Sequence, residues 1–448
     1  MGDSYVAEGM AERPATFELY CRHLPPGWGY FVAAGLADAL GYLERLRFTN
    51  RDLADLETMG LFSAAFLDRL ARLRFTGEVR AMREGTIFFP GEPVLEVTAP
   101  LLEAQLVETV VLNELHFGSL IASKAARCVD VAHGKRLVDF GLRRTHGGEA
   151  GVKVARASYL AGFDATSNVL AGLSFGIPAS GTMAHSYVEC FEDERAAFEA
   201  FLRTHPRGST LLIDTYDTVE GARLAAHAAR SLSGQGVRLG GVRLDSGDLL
   251  GLSRSVRRVL DEAELADVTI FASGNLDERE IARLLTEGAP IDGFGVGSRL
   301  GTSADAPFLD AAYKLVAFDG RPVLKLSAGK ATLPGGKQVW RQQRGGRFAH
   351  DVIALAAEPG PKGATPLLVP VMQGGKRLEH ESLATARERA AEQRAALAPE
   401  HRSLDAQPYL VELSPDLVAL RDTLTRRLLG RPPSEPTGER DNPVSLTL

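Results

Sequence analysis

The chain has 448 residues, of which 45% are hydrophobic and 24% charged, and its net charge is −6 at neutral pH. This composition excludes a disordered chain, which would be poor in apolar residues, and a basic nucleic-acid-binding protein. Three widely spaced cysteines form neither a disulfide framework nor a C-x-x-C metal pair, as is typical of a reducing compartment. The N-terminus lacks the pattern of a signal peptide, and no run of about 18 apolar residues occurs. We therefore expect a cytoplasmic protein with neither nucleic acid nor membrane as a partner.

The first hundred residues predict a region of mixed helix and strand. Residues 36–46 have a helical pattern, and residues 74–98 alternate polar and apolar side chains between glycines and prolines, which predicts short strands. A helical apolar period follows over residues 101–129. We expect an N-terminal α/β domain over residues 1–130, completed by part of 327–410.

From residue 210 onward, strand and helix patterns alternate in a way that is typical of β/α units on a parallel sheet. In a β/α barrel the carboxyl ends of the strands converge on one mouth, whereas an open doubly wound sheet unites only those near its switch point. Four successive strands end in polar or glycine residues, which favours an irregular β/α barrel over residues 131–326. These strand ends are residues 214–215, 245–248, 273–275 and 295–298.

After residue 327 the pattern breaks into glycine-rich turns and short apolar pieces. Two helices are predicted at residues 382–397 and 414–429, so that 327–430 forms a C-terminal extension. Residues 431–448 are rich in proline and charge, and we expect them to form a disordered tail.

The turns after the last two predicted strands are candidates for phosphate binding. They place small residues and hydroxyls between a strand and a helix, where backbone N–H groups bind anions, and barrels often hold a phosphate there. The alternative is that each turn is only a tight connection. The candidate residues are Ser273, Gly274, Asn275, Gly295, Gly297 and Ser298.

Charged residues flank the end of the strand in GVRLDSGDL, where a buried strand usually carries Val or Ile. Asp245 there is suited to bind sugar hydroxyls or to stabilise a cationic transition state, and Arg243 lies two residues before it. The alternative is an aspartate that caps its own turn.

Two further segments carry candidate residues. Arg143 and Arg144 follow a strand in FGLRRTHGG, where an arginine pair suits bidentate recognition of phosphate or carboxylate, unless the turn is only a solvated charged loop. His185 in GTMAHSYV differs from the other nine histidines because it lies among small polar residues. No H-x-x-x-H or H-E-x-x-H spacing points to a metal.

Taken together, these segments resemble nicotinate phosphoribosyltransferases. The resemblance extends from Ala7 to Leu429, and several of its segments are specific to that family. In chain order they are FGLRRTHG, FDATSNVLAG, GTMAHSYV, GVRLDSGDL, ASGNLDE, GVGSRLGTS and TLPGGKQVWR.

The resemblance implies an irregular β/α barrel of the type II phosphoribosyltransferase kind, with an N-terminal α/β domain. It implies that nicotinate, phosphoribosyl pyrophosphate, ATP and water give nicotinate mononucleotide, pyrophosphate, ADP and phosphate in NAD salvage, a reaction of the ATP-dependent ligase type. It further implies Mg²⁺, a phosphohistidine intermediate and a homodimer.

Site residues carried over by the resemblance agree with the candidates found above. His185 matches the phosphorylated histidine, and Asp245 and Arg143 match catalytic positions. Positions that match substrate-binding residues are Leu142, Arg144, Thr182, Ser186 and Arg243, and positions that match the phosphate loops are Ser273, Gly274, Asn275, Gly295, Gly297 and Ser298.

The chain departs from the family in two places. The family's N-terminal Asp-x-Tyr-x-Leu-Thr-Met segment, whose tyrosine stacks on nicotinate, is missing, and Met1 falls about where its methionine would lie. This leaves open a native chain that starts upstream, nicotinate binding without the stack, or a catalytically impaired or silent homologue. No cysteine follows Cys190, so we expect no structural zinc, which some relatives hold near the C-terminus. Another class of phosphate-binding barrel enzyme would need a lysine or paired acids, and the four late strand ends carry no lysine.

Overall fold

The computed structural model describes residues 1–327 and 329–430; the segment 431–448, for which we predicted a disordered tail, lies outside the described residues. The strands in chain order are β1 (Pro14–Cys21), β2 (Phe31–Val32), β3 (Glu78–Ala81), β4 (Ile87–Phe88), β5 (Pro93–Pro100), β6 (Arg136–Asp139), β7 (Ala165–Thr166), β8 (Arg207–Leu212), β9 (Arg238–Leu244), β10 (Thr269–Ala272), β11 (Gly293–Val296), β12 (Ala311–Phe318), β13 (Arg321–Pro322), β14 (Lys337–Arg344), β15 (Arg347–Leu355), β16 (Thr365–Pro366), β17 (Val369–Gln373), β18 (Lys376–Arg377) and β19 (Val411–Leu413).

Helices alternate with these strands, and two short 3-10 helices cover Leu142–Arg144 and Ser233–Gln235. No helix among the described residues combines the length and apolarity needed to cross a membrane. The α-helices in chain order are α1 (Gly2–Ala7), α2 (Leu36–Arg45), α3 (Asn50–Thr58), α4 (Ala64–Arg72), α5 (Leu101–Leu106), α6 (Glu108–Val131), α7 (Gly148–Ala161), α8 (Val169–Phe175), α9 (His185–Glu189), α10 (Glu194–Thr204), α11 (Thr218–Leu232), α12 (Leu249–Glu262), α13 (Glu278–Thr286), α14 (Ser298–Gly301), α15 (Leu383–Ala396), α16 (Pro399–Arg402) and α17 (Pro415–Leu428).

The chain divides into two compact units. A two-segment unit contains residues 1–120 and the described residues from 308 onward, and a central unit contains residues 121–307. The domain boundaries predicted from the sequence stay a prediction.

The two-segment unit contains a seven-stranded sheet in the order β13-β12-β1-β5-β3-β17-β18. Its strand β1 pairs antiparallel with β5 and β12. The strands predicted within residues 74–98 are confirmed as β3, β4 and β5. Phe17 of β1 stacks on Tyr313 of β12, with 5.0 Å between the ring centroids, and both side chains are buried. A second, four-stranded sheet in the order β16-β14-β15-β19 contains a long hairpin, β14-β15, where the sequence predicted only turns and short apolar pieces.

Buried charges join strands of this unit that are distant in sequence. Lys337 Nζ lies 2.8 Å from Glu18 Oε2, and both side chains are at most 3% exposed. The backbone N–H of Lys337 donates to Glu96 on β5 at 2.9 Å, and Arg80 Nη1 donates to the same carboxylate at 3.3 Å. Burial raises the pKa of Glu18 to about 7, against the opposing charge and hydrogen bond of Lys337.

The central unit contains a curled parallel sheet in the order β7-β6-β11-β10-β9-β8. Its strands β8, β9, β10 and β11 are those that the alternating pattern predicted, and helices α11, α12 and α13 connect them. Apolar side chains of this sheet form the core of the central unit, where Leu211, Val242, Ile270 and Phe294 are fully buried. The irregular β/α barrel predicted from the sequence is confirmed.

Local sequence explains why the helices of the central unit begin where they do. Asp217 and Asp277 are the N-cap residues of α11 and α13, and each accepts a hydrogen bond from the backbone N–H three residues later, at 2.8 and 2.9 Å. Gly221 lets α11 approach the sheet closely, because a Cβ there would lie 2.2 Å from the carbonyl oxygen of Ile213. The helix connections thus hold the carboxyl ends of the strands in place.

The burial of Glu18 makes the unfolding of the two-segment unit depend on pH. Because the pKa of Glu18 is about 7 in the folded chain and 4.5 for a free glutamate, its stabilising contribution is complete below pH 4.5 and is lost as the pH rises to 7. This loss amounts to about 3 kcal/mol. Between pH 4.5 and 7, the unfolding free energy of Glu18→Gln should therefore decrease by about 3 kcal/mol less than that of the unmodified protein. Urea unfolding followed by circular dichroism measures it.

The matched control for this prediction is Glu57→Gln, because Glu57 is exposed. Its pH dependence of unfolding should equal that of the unmodified protein. An unchanged pH dependence in Glu18→Gln would contradict the assigned burial effect.

Candidate active site

Turns that follow the parallel strands line one cavity of about 330 Å³ in the central unit. This volume suits a small-molecule ligand, and the lining combines two apolar side chains with many polar groups. The lining residues are Phe140, Leu142, Arg143, Ser167, Gly181, Thr182, Arg243, Asp245, Ser273, Gly274, Asn275, Gly295, Gly297 and Ser298.

Two cavities of the two-segment unit are larger, at about 460 and 490 Å³, but fewer polar side chains line them. Charged lining residues are Asp3 and Glu108 in the first, and the second is lined by apolar residues, glycines and two threonines. Convergent polar groups, rather than volume, therefore identify the central cavity as the candidate site.

A buried aspartate at the end of β6 shapes the first turn of the cavity. Asp139 Oδ1 accepts from the backbone N–H of Gly141 at 2.8 Å, and Oδ2 accepts from Thr166 Oγ1 on β7 at 2.7 Å. Burial raises the pKa of Asp139, although both hydrogen bonds favour its ionised form. The carboxylate thus links β6 to β7 and directs the turn that carries Leu142 and Arg143 into the cavity.

Arg243 forms the centre of the site. Its Nη2 donates to Asp245 Oδ1, its Nε to Ser273 Oγ and its Nη1 to Thr182 Oγ1, each at 2.7 Å. The guanidinium also lies over the ring of Phe140, at 5.5 Å from its centroid. One side chain therefore joins the ends of β9 and β10 to the segment that precedes His185.

The site holds Asp245 in its ionised form. Burial opposes ionisation, but hydrogen bonds from Ser273 Oγ and Arg243 and the positive charge of Arg243 outweigh burial and lower the pKa of Asp245. Ser273 Oγ lies 2.6 Å from Asp245 Oδ1. The cavity therefore contains a fixed carboxylate at neutral pH.

Asp214, at the end of β8, positions the backbone of the next strand end. Its Oδ2 accepts from the backbone N–H of Asp245 at 2.9 Å and from Ser246 Oγ at 2.7 Å. Its Oδ1 is buried and has no hydrogen-bond partner within the described part of the chain. The strand-end pattern indicated this residue, although it was not among the predicted site residues.

His185 begins the short helix α9 beside these strand ends. Its Nδ1 lies 3.2 Å from Thr215 Oγ1, and its Nε2 lies 3.9 Å from Asp245 Oδ2. The side chain is 40% exposed, so one ring edge is open to a ligand.

The structure brings most of the predicted site residues together. Leu142, Arg143, Thr182, Arg243, Asp245 and all six predicted phosphate-turn residues line the cavity. Arg144, His185 and Ser186 lie outside that lining, and Arg144 and Ser186 are exposed. The roles assigned to these residues stay predictions.

Sequence reasoning missed three lining residues: Phe140, Ser167 and Gly181. Each lies within or next to a segment that carried the resemblance, and this proximity was the only available signal. Among the described residues, no group of three or more His, Cys, Asp or Glu side chains is arranged to hold a metal ion.

Family models and relatives agree with the resemblance noted in the sequence. Models for the nicotinate phosphoribosyltransferase N-terminal domain, the nicotinate phosphoribosyltransferase family and the nicotinate phosphoribosyltransferase C-terminal domain match residues 1–116, 135–330 and 360–421. Nicotinate phosphoribosyltransferase pncB2 of Mycobacterium tuberculosis is 51% identical over 91% of this chain and 88% of its own. The nicotinate phosphoribosyltransferase of Bacillus subtilis is 43% identical over 80% of this chain and 74% of its own.

The fold agrees as well. The crystal structure of human nicotinic acid phosphoribosyltransferase superposes with a TM-score of 0.84 at 34% identity, over 95% of this chain and 98% of that one. Likeness in sequence and in fold thus extends over nearly the whole chain, and the strand ends that line the cavity fall within the matched residues 135–330. This chain belongs to the nicotinate phosphoribosyltransferase family.

Proposed function

We propose that this chain transfers the phosphoribosyl group of phosphoribosyl pyrophosphate to nicotinate in NAD salvage. The ring nitrogen of nicotinate forms a bond to C1 of the ribosyl group as the C1–O bond to pyrophosphate breaks, and the electron pair leaves with pyrophosphate. The relatives named nicotinate phosphoribosyltransferase support this reaction. A cytoplasmic location fits the three unpaired cysteines, Cys21, Cys128 and Cys190.

The observation that carries the proposal is the ionised carboxylate of Asp245 inside the cavity. Positive charge develops at C1 when the bond to pyrophosphate breaks, and a preorganised carboxylate stabilises that charge. Arg243 and Ser273 hold the carboxylate in place, so little reorganisation is needed when the charge appears.

The other polar groups of the cavity suit the anionic parts of the substrates. Its glycine and hydroxyl turns, Ser273–Asn275 and Gly295–Ser298, bind the phosphate of the ribosyl group. Arg143 is exposed in the lining and binds the carboxylate of nicotinate or a phosphate oxygen, since a guanidinium pairs with either. Leu142 contributes apolar surface for the pyridine ring.

Transfer is coupled to ATP through His185, in a reaction of the ligase type. In the tautomer in which Nδ1–H donates to Thr215 Oγ1, Nε2 carries the free lone pair. Nε2 attacks the terminal phosphorus of ATP, and ADP leaves with the electron pair of the broken P–O bond. Water later cleaves the N–P bond and releases phosphate.

Magnesium enters with phosphoribosyl pyrophosphate and ATP, as part of these substrates. Mg²⁺ prefers oxygen ligands and is usually bound through phosphates, waters and one or two carboxylates. The carboxylate of Asp245 lines the cavity and is an oxygen donor that fits this ion. When bound, magnesium neutralises charge on the departing pyrophosphate.

The active form is a homodimer. Three apolar side chains of α8 are exposed together: Val169 at 63%, Leu170 at 62% and Leu173 at 81%. An apolar cluster of this kind marks an interaction surface. Because α8 begins two residues after Ser167 of the cavity lining, a second copy that packs on it lies beside the active site.

The first test is chromatographic detection of nicotinate mononucleotide from nicotinate, phosphoribosyl pyrophosphate and magnesium, with and without ATP. We expect product, and more of it with ATP. In His185→Ala the basal reaction should persist and the stimulation by ATP should disappear, because the phosphoryl acceptor is gone.

His227→Ala is the matched control, since His227 is exposed on α11 of the same unit. It should keep its stimulation by ATP. Undiminished stimulation in His185→Ala would refute the role of His185, and no product from the unmodified chain would refute the proposed reaction.

Replacing the carboxylate of Asp245 should slow the chemical step. In Asp245→Asn we expect kcat to fall by about 10²-fold to 10³-fold, because the developing charge at C1 loses its partner. Asp261→Asn, which changes an exposed helix carboxylate paired with Arg257, should leave kcat unchanged. Steady-state kinetics measure both. A kcat for Asp245→Asn within about threefold of the unmodified value would contradict the role of Asp245.

A charge on the apolar cluster should break the dimer. Leu173→Lys places an ammonium group in the proposed interface, where an unpaired charge is costly to bury. Light scattering after gel filtration should report the mass of one chain for this variant and of two chains for the unmodified protein. Leu410→Lys, at a side chain that is 54% exposed in the two-segment unit, should remain a dimer. A dimeric Leu173→Lys would place the interface elsewhere.

A further inference from the structure

Arg299 connects the two turns of the cavity that are farthest along the chain. It follows Ser298 of one turn directly, and its Nε donates to Asn275 Oδ1 of the other turn at 3.0 Å. Both Ser298 and Asn275 line the cavity, whereas Arg299 does not belong to the described lining. Arg299 therefore affects the shape of the cavity through residues that line it, without lining the cavity itself.

The turn that Arg299 contacts has an unusual backbone. Gly274 has φ +94°, and a Cβ there would lie 1.9 Å from the carbonyl oxygen of Asp245. The next residue, Asn275, has φ +54°, in the left-handed region, which asparagine adopts more often than most residues but less readily than glycine. A backbone of this kind persists only where its surroundings hold it, and the hydrogen bond from Arg299 is one such restraint.

Arg299 is itself fixed to a helix. Its Nη1 donates to Asp277 Oδ2, and Asp277 is the N-cap residue of α13, where Oδ1 accepts from the backbone N–H of Glu280 at 2.9 Å. The α13 helix is anchored in turn by Glu278, whose carboxylate lies 2.7 Å from Lys124 Nζ and 3.0 Å from Arg127 Nε. The restraint on Asn275 thus extends through Arg299 and Asp277 to a buried ion-pair cluster.

We propose that Arg299 is a positioning residue that holds the Ser273–Asn275 turn in its left-handed conformation against the Gly295–Ser298 turn, so that the two together bind a phosphate group. This inference rests on the proposed function, in which these turns bind the phosphate of phosphoribosyl pyrophosphate. In this proposal Arg299 acts through Asn275, to which its Nε donates, while its Nη1 donates to Asp277.

The expected signature is weaker phosphate binding with unchanged chemistry. Arg299→Gln should raise KM for phosphoribosyl pyrophosphate about tenfold, the equivalent of one charge-assisted hydrogen bond, and leave kcat within about twofold. The matched control is Arg283→Gln, because Arg283 is 44% exposed against 40% for Arg299 and also pairs with carboxylates of this unit. This control should leave KM unchanged.

A double variant separates positioning from direct attraction of the phosphate. Glycine adopts φ > 0 without penalty, so Asn275→Gly removes the acceptor of Arg299 and still permits the turn. In that background Arg299→Gln should change KM by less than about twofold. A full tenfold increase in KM in both backgrounds would mean that Arg299 attracts the phosphate directly, and it would overturn the proposal. An unchanged KM in the single variant Arg299→Gln would also overturn it.

Calorimetric titration with ribose 5-phosphate supplies a readout that needs no turnover. Its Kd should rise in Arg299→Gln by the same factor as KM. A chain that forms no nicotinate mononucleotide refutes the proposed function, yet this titration still tests Arg299. If Arg299→Gln fails to fold, Arg299→Lys replaces it. Lysine keeps the charge but lacks the guanidinium fork, so the Kd for ribose 5-phosphate should rise in this variant too. An unchanged Kd would overturn the proposal.

Discussion

The candidate site depends on the hydrogen bonds of one guanidinium, that of Arg243. Its planar fork donates to Asp245, Ser273 and Thr182, and these partners come from three segments that are far apart in sequence. Desolvating this charge is costly, and the ionised carboxylate of Asp245 offsets that cost. Removal of either partner would leave the other as a partly buried, unpaired charge. A lysine could not replace the arginine, because it offers no rigid set of donors in three directions.

Around this ion pair, strand ends are held by carboxylates that bond to backbone. Asp139 accepts from the N–H of Gly141, and Asp214 accepts from the N–H of Asp245 on the adjacent strand end. A carboxylate that accepts from a backbone donor fixes the start of a turn more firmly than packing alone, since the bond is charge-assisted. The polar clusters at the strand ends therefore form both the lining of the cavity and the framework behind it.

Much of this arrangement could be predicted from the sequence, because the signals are local. The alternating strands and helices predicted from residue 210 onward are present, with α11, Thr218–Leu232, between β8 and β9. The polar strand ends meet in one cavity, as parallel strands require. The β14-β15 hairpin was missed because its buried residues include Lys337, Arg341 and Asp351, which a pattern of apolar residues reads as surface. Lys337 pairs with Glu18, hundreds of residues away in the chain, and Arg341 pairs with Asp351 across the hairpin itself. Ser167 was missed because its residue type and local pattern carry no signal beyond its place in a segment that resembles the family.

The geometry also bears on whether this member of the family is a silent homologue. Left-handed backbone costs free energy at residues other than glycine, although less at asparagine than at most, and a partly buried ion pair adds little stability compared with apolar packing. A chain that only needed to fold would gain by replacing both. This chain keeps the left-handed Asn275 and the Arg243–Asp245 pair, and both line the same cavity. Features that lower stability and converge on one cavity are those expected of a site that binds and reacts, so the geometry favours a working transferase over a silent one.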